Sequence, residues 1–369
     1  MSSVILSLLC NLARSSKNLF IPLFSSFLLL LSLNSFAANG TGDLGRADYD
    51  LDNNGLIEIN DLADLDEIRN HLDGKGLYGS KTGCPDAEDG TVNGGCIGFE
   101  LTADLDFDTD GNGVVDDEDD YRNINLGGIA EGWLPIGDAW DNSFSANFNG
   151  NGYVIKNLTI NRSNRSKVGL FGYVRDAKIE NLAIGGLYSL IVGHDSVGAL
   201  VGSVSNSQLR NISIAANVHG VENVAVLVGY MGPMTRVENS IVSGSVFGDR
   251  FVGGLVGHIG VETSETKATI GQSLSTAVVT GNKDLGGLVG YSNGSVEARN
   301  SYWAMDASSQ FDRAENEEGI SYVGLDLATL QCATAENTDS STGCVSVDGS
   351  DEGLNAAVVL YKDWNSDMW

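Results

Sequence analysis

The chain is poor in proline, histidine and basic residues. Only 4 of its 369 residues are proline while 47 are glycine, which is typical of a regular structure with many tight corners. The 21 lysines and arginines stand against 49 acids, so the formal net charge is -28. Such a surface repels nucleic acid and attracts divalent cations, and we expect no nucleic-acid partner. The hydrophobic fraction of 42% is too high for a disordered chain.

The sequence also lacks a hydrophobic run long enough for a comfortable membrane span. The apolar run at 19–33 is interrupted by serine, follows Arg14 and Lys17, and leads to small residues at 35–37. We interpret residues 1–37 as an export signal, and an N-terminal membrane anchor is the alternative. The mature protein is then secreted or held at the cell surface, without stable membrane insertion.

Sequence signatures of catalysis are missing as well. The 4 histidines show no HExxH spacing, and no GxSxG phrase occurs. Four cysteines remain after the signal, as Cys84 with Cys96 and Cys332 with Cys344. Two sequential disulfides are the simplest of the three connectivities in an exported chain, and zinc binding is disfavoured because no histidine lies near either pair. With the thiols paired, no nucleophile is visible, which predicts a protein that is not an enzyme.

What the sequence has instead is one glycine-rich phrase that recurs five times. The phrases VGLFG, VGALVG, VAVLVG, VGGLVG and LGGLVG begin at Val168, Val197, Val224, Val252 and Leu285. Their starts are 29, 27, 28 and 33 residues apart, which is the period of a solenoid whose units bury their apolar faces against their neighbours.

Amide side chains recur between the phrases. They stand at Asn157, Asn181, Asn211, Asn239, Gln272 and Asn300. The alternation of apolar and polar residues slips by one at these amides, which predicts a corner where stacked side chains can form a ladder of hydrogen bonds. Glycines at 193, 220, 248 and 281 end a further strand in each unit.

Three strands in a unit of about 28 residues predict an all-β fold, a right-handed parallel β-helix (solenoid) of about 5–6 coils over residues 133–303. A β-propeller is the alternative, but its blades normally need about 40 or more residues. Residues 38–132 are expected to form a small region with two calcium loops, a helix at 61–72 and one disulfide. Residues 304–369 are expected to form a disulfide-bonded cap, truncated at the C-terminus.

Two acidic loops follow the DxDxNG pattern of calcium sites. The expected ligands are Asp50, Asp52, Asn54, Leu56 and Asp61 in the first loop, and Asp108, Asp110, Asn112, Val114 and Asp119 in the second. A hard cation takes six to eight oxygens, and carboxylates packed this densely repel one another without it. The pattern predicts Ca²⁺ as a structural cofactor, with solvated acidic turns as the alternative.

The glycine phrases resemble the GLUG motif of bacterial surface and secreted proteins. The acidic loops, the stretch WLPIG at 133–137 and the stretch FNGNGY at 148–153 are similar to the usual lead-in, so the likeness covers about residues 48–303. It implies a bacterial source, export and a repeat region often found in adhesins and outside the catalytic part of some large peptidases. It brings no catalytic residues. The phrases at Val168 and Val224 depart from the motif, which predicts irregular coils there.

We therefore expect a monomeric, non-catalytic, adhesin-like module that calcium stabilises and that binds a glycan or a surface macromolecule. A polysaccharide lyase or hydrolase on the β-helix is one alternative, and an accessory region of a larger exported peptidase is another. The enzyme alternative depends on acids before the phrases, at Asp195, Glu222, Asp249 and Asp284, which would form a stripe if they were aligned. A solvated row of turns is the favoured explanation, because the offsets of these acids from the following Val or Leu vary, whereas acid–base chemistry needs carboxyl groups at fixed positions.

Overall fold

A computed structural model describes residue 46 and residues 48–85, 95–123, 128–261, 266–294, 296–305 and 322–325. Across these residues the chain is almost entirely β-structure, and all pairings between its strands are parallel. The expected export signal, Cys332, Cys344 and most of the expected C-terminal cap lie outside the described residues.

The glycine phrases build two narrow sheets of five strands each. The first sheet contains β7 (Ser166–Val168), β11 (Asp195–Val197), β14 (Glu222–Ala225), β18 (Arg250–Gly253) and β23 (Lys283–Gly286). The second contains β8 (Phe171–Arg175), β12 (Val201–Ser205), β15 (Val228–Met231), β19 (Val256–Ile259) and β24 (Val289–Ser292). Each phrase starts at the end of a strand of the first sheet and runs into the second.

The remaining strands form one sheet of 17 strands. Those that precede the first phrase are β1 (Leu56–Ile59), β2 (Gly98–Leu101), β3 (Leu105–Asp106), β4 (Asn147–Asn149), β5 (Val154–Lys156) and β6 (Thr159–Asn161). Those between the phrases are β9 (Lys178–Gly185), β10 (Leu190–Val192), β13 (Gln208–His219), β16 (Arg236–Glu238), β17 (Ile241–Phe247), β20 (Ala268–Gly271), β21 (Leu274–Ser275) and β22 (Val278–Thr280). The last are β25 (Val296–Arg299), β26 (Ser301–Ala304) and β27 (Tyr322–Leu325).

The prediction of a stacked parallel solenoid is confirmed, with about five coils. The first residues of the phrases are register partners, since Val197 pairs with Val168 and Val224, and Val252 pairs with Val224 and Leu285. The prediction of an irregular coil at Val224 is wrong. The strand that contains Val224 keeps the same register as the neighbouring strands. An alanine at position 225 fits there and is fully buried.

The last glycine of each phrase allows two coils to approach closely. A Cβ atom on Gly202, Gly229, Gly257 or Gly290 would lie 2.3 to 2.5 Å from the backbone nitrogen of the residue that starts the preceding phrase. Real Cβ atoms do not come this close to backbone, so a side chain here would push the coils apart. The spacing of these glycines in the sequence is therefore set by the close packing of successive coils.

The predicted amide corners are confirmed by the backbone. Asn157, Asn181, Asn211, Asn239, Gln272 and Asn300 all have positive φ, between 45° and 58°. Asparagine tolerates this left-handed conformation better than most residues do. Asn181 donates a 3.0 Å hydrogen bond to Asn149, which extends the amide ladder toward the start of the chain.

The region before the solenoid continues its large sheet. Strand β1 pairs with β2, which pairs with β4, and β4 pairs with β9. The predicted helix is present but shorter, as α1 (Leu62–Glu67) followed by a 3₁₀ turn, Ile68–Asn70. The predicted disulfide between Cys84 and Cys96 is present, with Cα atoms 5.0 Å apart.

Candidate functional site

The first acidic loop, residues 50–55, is folded by hydrogen bonds from its backbone to its own carboxylates. Asp50 is fully buried, and its two oxygens accept from the backbone N–H groups of Asn54 and Gly55 at 2.9 and 2.8 Å. Asp52 accepts from the backbone of Asn54 at 3.0 Å, and the Oδ1 of Asn54 accepts from the backbone of Leu56 at 2.7 Å. Gly55 has a φ of 86°, a conformation that suits glycine at this sharp turn.

Three carboxylates converge beside this loop. One oxygen each from Asp50, Asp52 and Glu58 lies within 4.8 Å of the other two. Glu58 lies on β1, which leaves the loop, and only 5% of its surface is exposed. The expected ligands did not include Glu58, although the sequence places its carboxylate at the ninth position of the loop pattern. That position is the signal for its part in the site.

Asp61, the expected final ligand, has a different role in the structure. Its side chain caps α1 by accepting a 2.8 Å hydrogen bond from the backbone of Asp64. A helix N-cap favours aspartate because the first backbone N–H groups of a helix have no partner inside the helix. The structure therefore brings Asp50 and Asp52 together with Glu58, whereas Asp61 is the N-cap residue of α1.

The second acidic loop repeats most of the hydrogen bonds of the first. Gly113 donates to Asp108 at 2.8 Å, as Gly55 does to Asp50, and Asn112 accepts from the backbone of Val114 at 2.8 Å, as Asn54 does from Leu56. The two loops thus share one local fold built by the DxDxNG sequence. This agreement is independent of their surroundings, since one loop precedes β1 and the other follows β3.

In the second loop the expected acidic ligands do come together. Oxygens of Asp108, Asp110 and Asp119 lie within 4.8 Å of one another. Asp119 is 7% exposed and is fixed by N–H groups of Thr109 and Asp116, at 2.6 and 2.7 Å. The Oδ1 atom of Asp108 is buried and has no hydrogen-bond partner among the described residues. A turn follows this loop.

Burial sets the electrostatics of the first site. Loss of solvent raises the pKa of Asp50, and the charges of Asp52 and Asp48 add to this rise against two backbone hydrogen bonds. Burial likewise raises the pKa of Glu58, and the charges of Asp50 and Glu100 act in the same direction. The ionised carboxylates are therefore unfavourable together, and a bound cation would relieve them.

The acids before the glycine phrases do not form a stripe. In the first narrow sheet, Asp195 pairs with Glu222, but the next residues in the same row are Arg250 and Lys283. Arg250 forms an ion pair with Glu222. Asp249 lies before its strand and accepts a 2.7 Å hydrogen bond from Asn282. The row is mixed in charge, so the four acids do not form one aligned stripe along the solenoid.

A row of aromatic and polar side chains follows the second narrow sheet. Its register partners are Tyr173, Ser203, Tyr230, His258 and Tyr291. Phe251, from the first narrow sheet, stacks on Tyr291 with ring centroids 4.6 Å apart and packs on His258 at 4.9 Å. Burial lowers the pKa of His258, whose Nδ1 lies 3.0 Å from the Oδ1 of Asn223.

The aromatic row reaches the N-terminal coils through a further contact. Trp140 is 59% exposed and its ring lies 5.9 Å from that of Tyr173, with Arg175 over its face. Tyr173 itself is buried, and the half-buried rings of the row, Phe251 and Tyr291 among them, offer flat apolar faces next to polar groups. The row is consequently a surface on which a sugar ring or a peptide could lie.

Among the described residues, no helix has the length and apolar character that a membrane span requires.

Comparison with known proteins gives partial matches. No family model matches the chain. Over 111 residues it is 34% identical to "Halomucin" of Haloquadratum walsbyi, which covers 30% of this chain and 1% of that protein. Over 219 residues it is 31% identical to a "Putative Gly-rich membrane protein" of Evansella cellulosilytica, which covers 55% of this chain and 19% of that protein. The chain thus spans a small part of both relatives.

A solved structure is also similar to the chain. It is described as that of "a putative immunoglobulin A1 protease" from Bacteroides ovatus, with 17% identity and a TM-score of 0.43. The match covers 73% of this chain and 84% of the other. At this TM-score the likeness adds nothing to the fold that the strand pairings define.

Proposed function

We propose that this chain is a non-catalytic β-solenoid module of an exported bacterial surface protein of the GLUG-repeat type. It binds a glycan or another surface macromolecule in an adhesin-like manner, and calcium stabilises it. The observation that carries the proposal is the aromatic row on the solenoid wall, from Trp140 and Tyr173 to Phe251 and Tyr291. The name of one relative, a Gly-rich membrane protein, fits a location at the cell surface.

The residues of both acidic loops fit calcium. Each loop supplies three carboxylates that meet within 4.8 Å, together with an asparagine and a backbone carbonyl as further oxygen donors. Oxygen donors alone are the ligands of a hard cation, and a soft metal would require sulfur or nitrogen. The buried Oδ1 of Asp108, which has no hydrogen-bond partner within the described ranges, is available as a ligand atom in the second loop.

Both loops adjoin strands at the start of the stack, which indicates a structural role for the cation. The first loop leads into β1, and the second follows β3, which pairs with β5. The edge of a sheet exposes unpaired backbone groups, and folded loops that cover it protect it from pairing with other chains. Calcium would hold these loops in shape.

A glycan array tests the binding function. The calcium-loaded protein is expected to bind at least one glycan class, and the Phe251→Ala, Tyr291→Ala double variant is expected to lose at least tenfold in affinity for it. Phe247→Ala is the matched control, because Phe247 is an exposed aromatic residue of the 17-stranded sheet, outside the aromatic row. No binding to glycans, or equal losses in both variants, would contradict a carbohydrate-binding role for the row.

A further inference from the structure

Glu58 and Glu100 face each other on neighbouring coils at the first acidic loop. Strands β1 and β2 pair in parallel, with Glu58 opposite Glu100. Neighbouring strands lie about 4.8 Å apart, and like charges directly opposite each other are destabilising. Each glutamate is only 5% exposed, so solvent does little to screen the repulsion.

Protein groups satisfy this pair only in part. Glu100 accepts from the side-chain amides of Asn54 and Asn151 at 3.0 and 2.8 Å. Glu58 accepts one backbone hydrogen bond from Leu51 at 2.6 Å, while its Oε2 atom is buried and has no hydrogen-bond partner in the described part of the chain. A buried carboxylate oxygen without a partner is costly, so this oxygen is suited to binding a cation.

No basic side chain among the described residues neutralises the pair. Arg46 is the nearest candidate, but it donates to the carboxylate of Asp64 and to the backbone carbonyl of Glu58. Its charge is therefore already matched by a buried acid. The two glutamates keep their excess of negative charge.

The pair also adjoins the loop, and a cavity that opens to solvent reaches its edge. Glu58 belongs to the carboxylate group with Asp50 and Asp52, and Asn54 contacts Glu100. Asp52, Glu58 and Glu100 line one open cavity of about 960 Å³. A hydrated cation can therefore reach these oxygens, which meets the need for an entry path.

We propose that Glu58 and Glu100 complete the first cation site in place of Asp61, so that a divalent cation with oxygen ligands, such as Ca²⁺, ties two coils of the solenoid together. The inference rests on calcium binding as part of the proposed function. It assigns the two cations different effects. The first joins the loop and β1 to β2, whereas the second is held by acids of a single loop.

Calcium titration by calorimetry tests the assignment in a protein whose second site is disabled by Asp108→Asn and Asp110→Asn. In this background, Glu100→Gln is expected to weaken calcium binding at least tenfold. Asp61→Asn is the matched control, since asparagine also caps helices, and its affinity is expected to stay within twofold of the background. The opposite ranking of the two variants, or equal affinities in both, would overturn the proposal.

Thermal unfolding without calcium gives an independent readout. Glu58→Gln keeps one oxygen for the Leu51 N–H and removes a like charge, so the cation-free protein is expected to unfold at a higher temperature than the background. With saturating calcium the order is expected to reverse. If Glu58→Gln lowers stability in both conditions, the glutamate has an ordinary structural role and the proposal fails.

Titrations of the wild type and the background protein distinguish failure of calcium binding from failure of the link between Glu58 and Glu100. If neither the wild type nor the background protein binds calcium, the calcium part of the proposed function fails together with this assignment. If the wild type binds calcium and the background does not, the assignment of the first site fails alone. If the background protein binds calcium and Glu100→Gln binds it equally well, only the link between the two coils is wrong.

Discussion

The side-chain amide of Asn211 donates a 2.8 Å hydrogen bond to the Oδ1 of Asn181 in the preceding coil. Both residues have a left-handed backbone, with φ of 54° and 55°. One residue type thus meets two demands at this corner, because asparagine tolerates the conformation and its amide bonds the coil next to it. Asn239 has the same conformation, with φ of 49°, but its side chain forms no hydrogen bond among the described residues.

Asn211→Leu should therefore destabilise the protein more than Asn239→Leu. Both substitutions place an apolar side chain in the left-handed region, at about 1–2 kcal/mol, and only the first also removes a hydrogen bond, of about 0.5–1.5 kcal/mol. Urea unfolding measures the difference. Asn211→Gly separates the two contributions, since glycine keeps the backbone conformation and removes the amide. Equal losses for the two leucine variants would show that the ladder adds no stability.

Gly257→Ala should destabilise the solenoid by about 3 kcal/mol or more, because the new Cβ would lie 2.5 Å from the backbone nitrogen of Val224. Gly271→Ala is the control, since its Cβ would meet only the side chain of Glu238, at 3.8 Å. Equilibrium unfolding of both variants measures the contrast. A small effect at Gly257 would mean that the coils can separate at little cost.

Removal of the disulfide between Cys84 and Cys96 should cost about 3 kcal/mol. The bridge closes a short loop, with a sequence separation of 12, and restricts the unfolded chain. The Cys84→Ser, Cys96→Ser double variant should unfold at lower urea concentration than the oxidised wild type. Reduced wild type should match the variant, and a protein that is equally stable when oxidised and reduced would contradict this role.

The cation-free protein should lose stability as the pH rises above the ordinary carboxyl range of about 4. The folded pKa values of Asp50 and Glu58 are raised, so the folded state binds protons more readily than the unfolded state. Their contribution is present at low pH and is lost as the pH rises through these raised values.

Thermal unfolding in chelator from pH 4 to pH 7 checks this pH dependence. Asp50→Asn removes the ionisable group of Asp50, so the melting temperature of this variant should fall less steeply with rising pH than that of the wild type. Half-buried Asp116 serves as the matched site. Hydrogen bonds lower its pKa, so its contribution is lost only below the ordinary carboxyl pKa of about 4, and Asp116→Asn should leave the curve between pH 4 and pH 7 unchanged. Identical curves for wild type and Asp50→Asn would contradict the role of Asp50.

Calcium should raise the melting temperature, since a ligand that binds only the folded state adds about 2.7 kcal/mol per site at one hundred times its Kd. The double variant Asp50→Asn, Asp108→Asn should lose this gain and unfold like the wild type in chelator. Calorimetric scans with and without calcium at low ionic strength measure it. An unchanged melting curve in the wild type would contradict calcium binding at both loops.

Much of the fold was predictable because the repeat is local. The spacing of the phrases at Val168, Val197, Val224, Val252 and Leu285 corresponds to the register of the stacked strands. The amide corners were also predictable, since a slip in the alternation of apolar residues can be read from neighbouring positions. The expected irregularity at Val224 was wrong, because a buried alanine can replace a glycine where the packing leaves room for one methyl group.

The candidate site was predictable only within each loop. Asp50, Asp52 and Asn54 come together through hydrogen bonds that span five residues or fewer, so their pattern is visible in the sequence. Numbering along the loop pointed to Asp61, whereas the start of α1 uses that side chain as its cap. The mixed charges beside Asp195 could not be predicted from the sequence either, because they depend on which residues of later coils lie in register with it.

The sequence by itself determined the period of the coils, the left-handed corners, the close glycine contacts and the local fold of both acidic loops. Each of these depends on residues that are near in the chain or on a repeated spacing. Only the tertiary structure decided that Glu58 meets Asp50 and Asp52, that Glu100 faces Glu58, and that aromatic side chains of successive coils form one row. Glu58 lies eight residues beyond Asp50, on the strand that leaves the loop. The other contacts join positions about one coil or more apart, which the parallel register of the strands brings together.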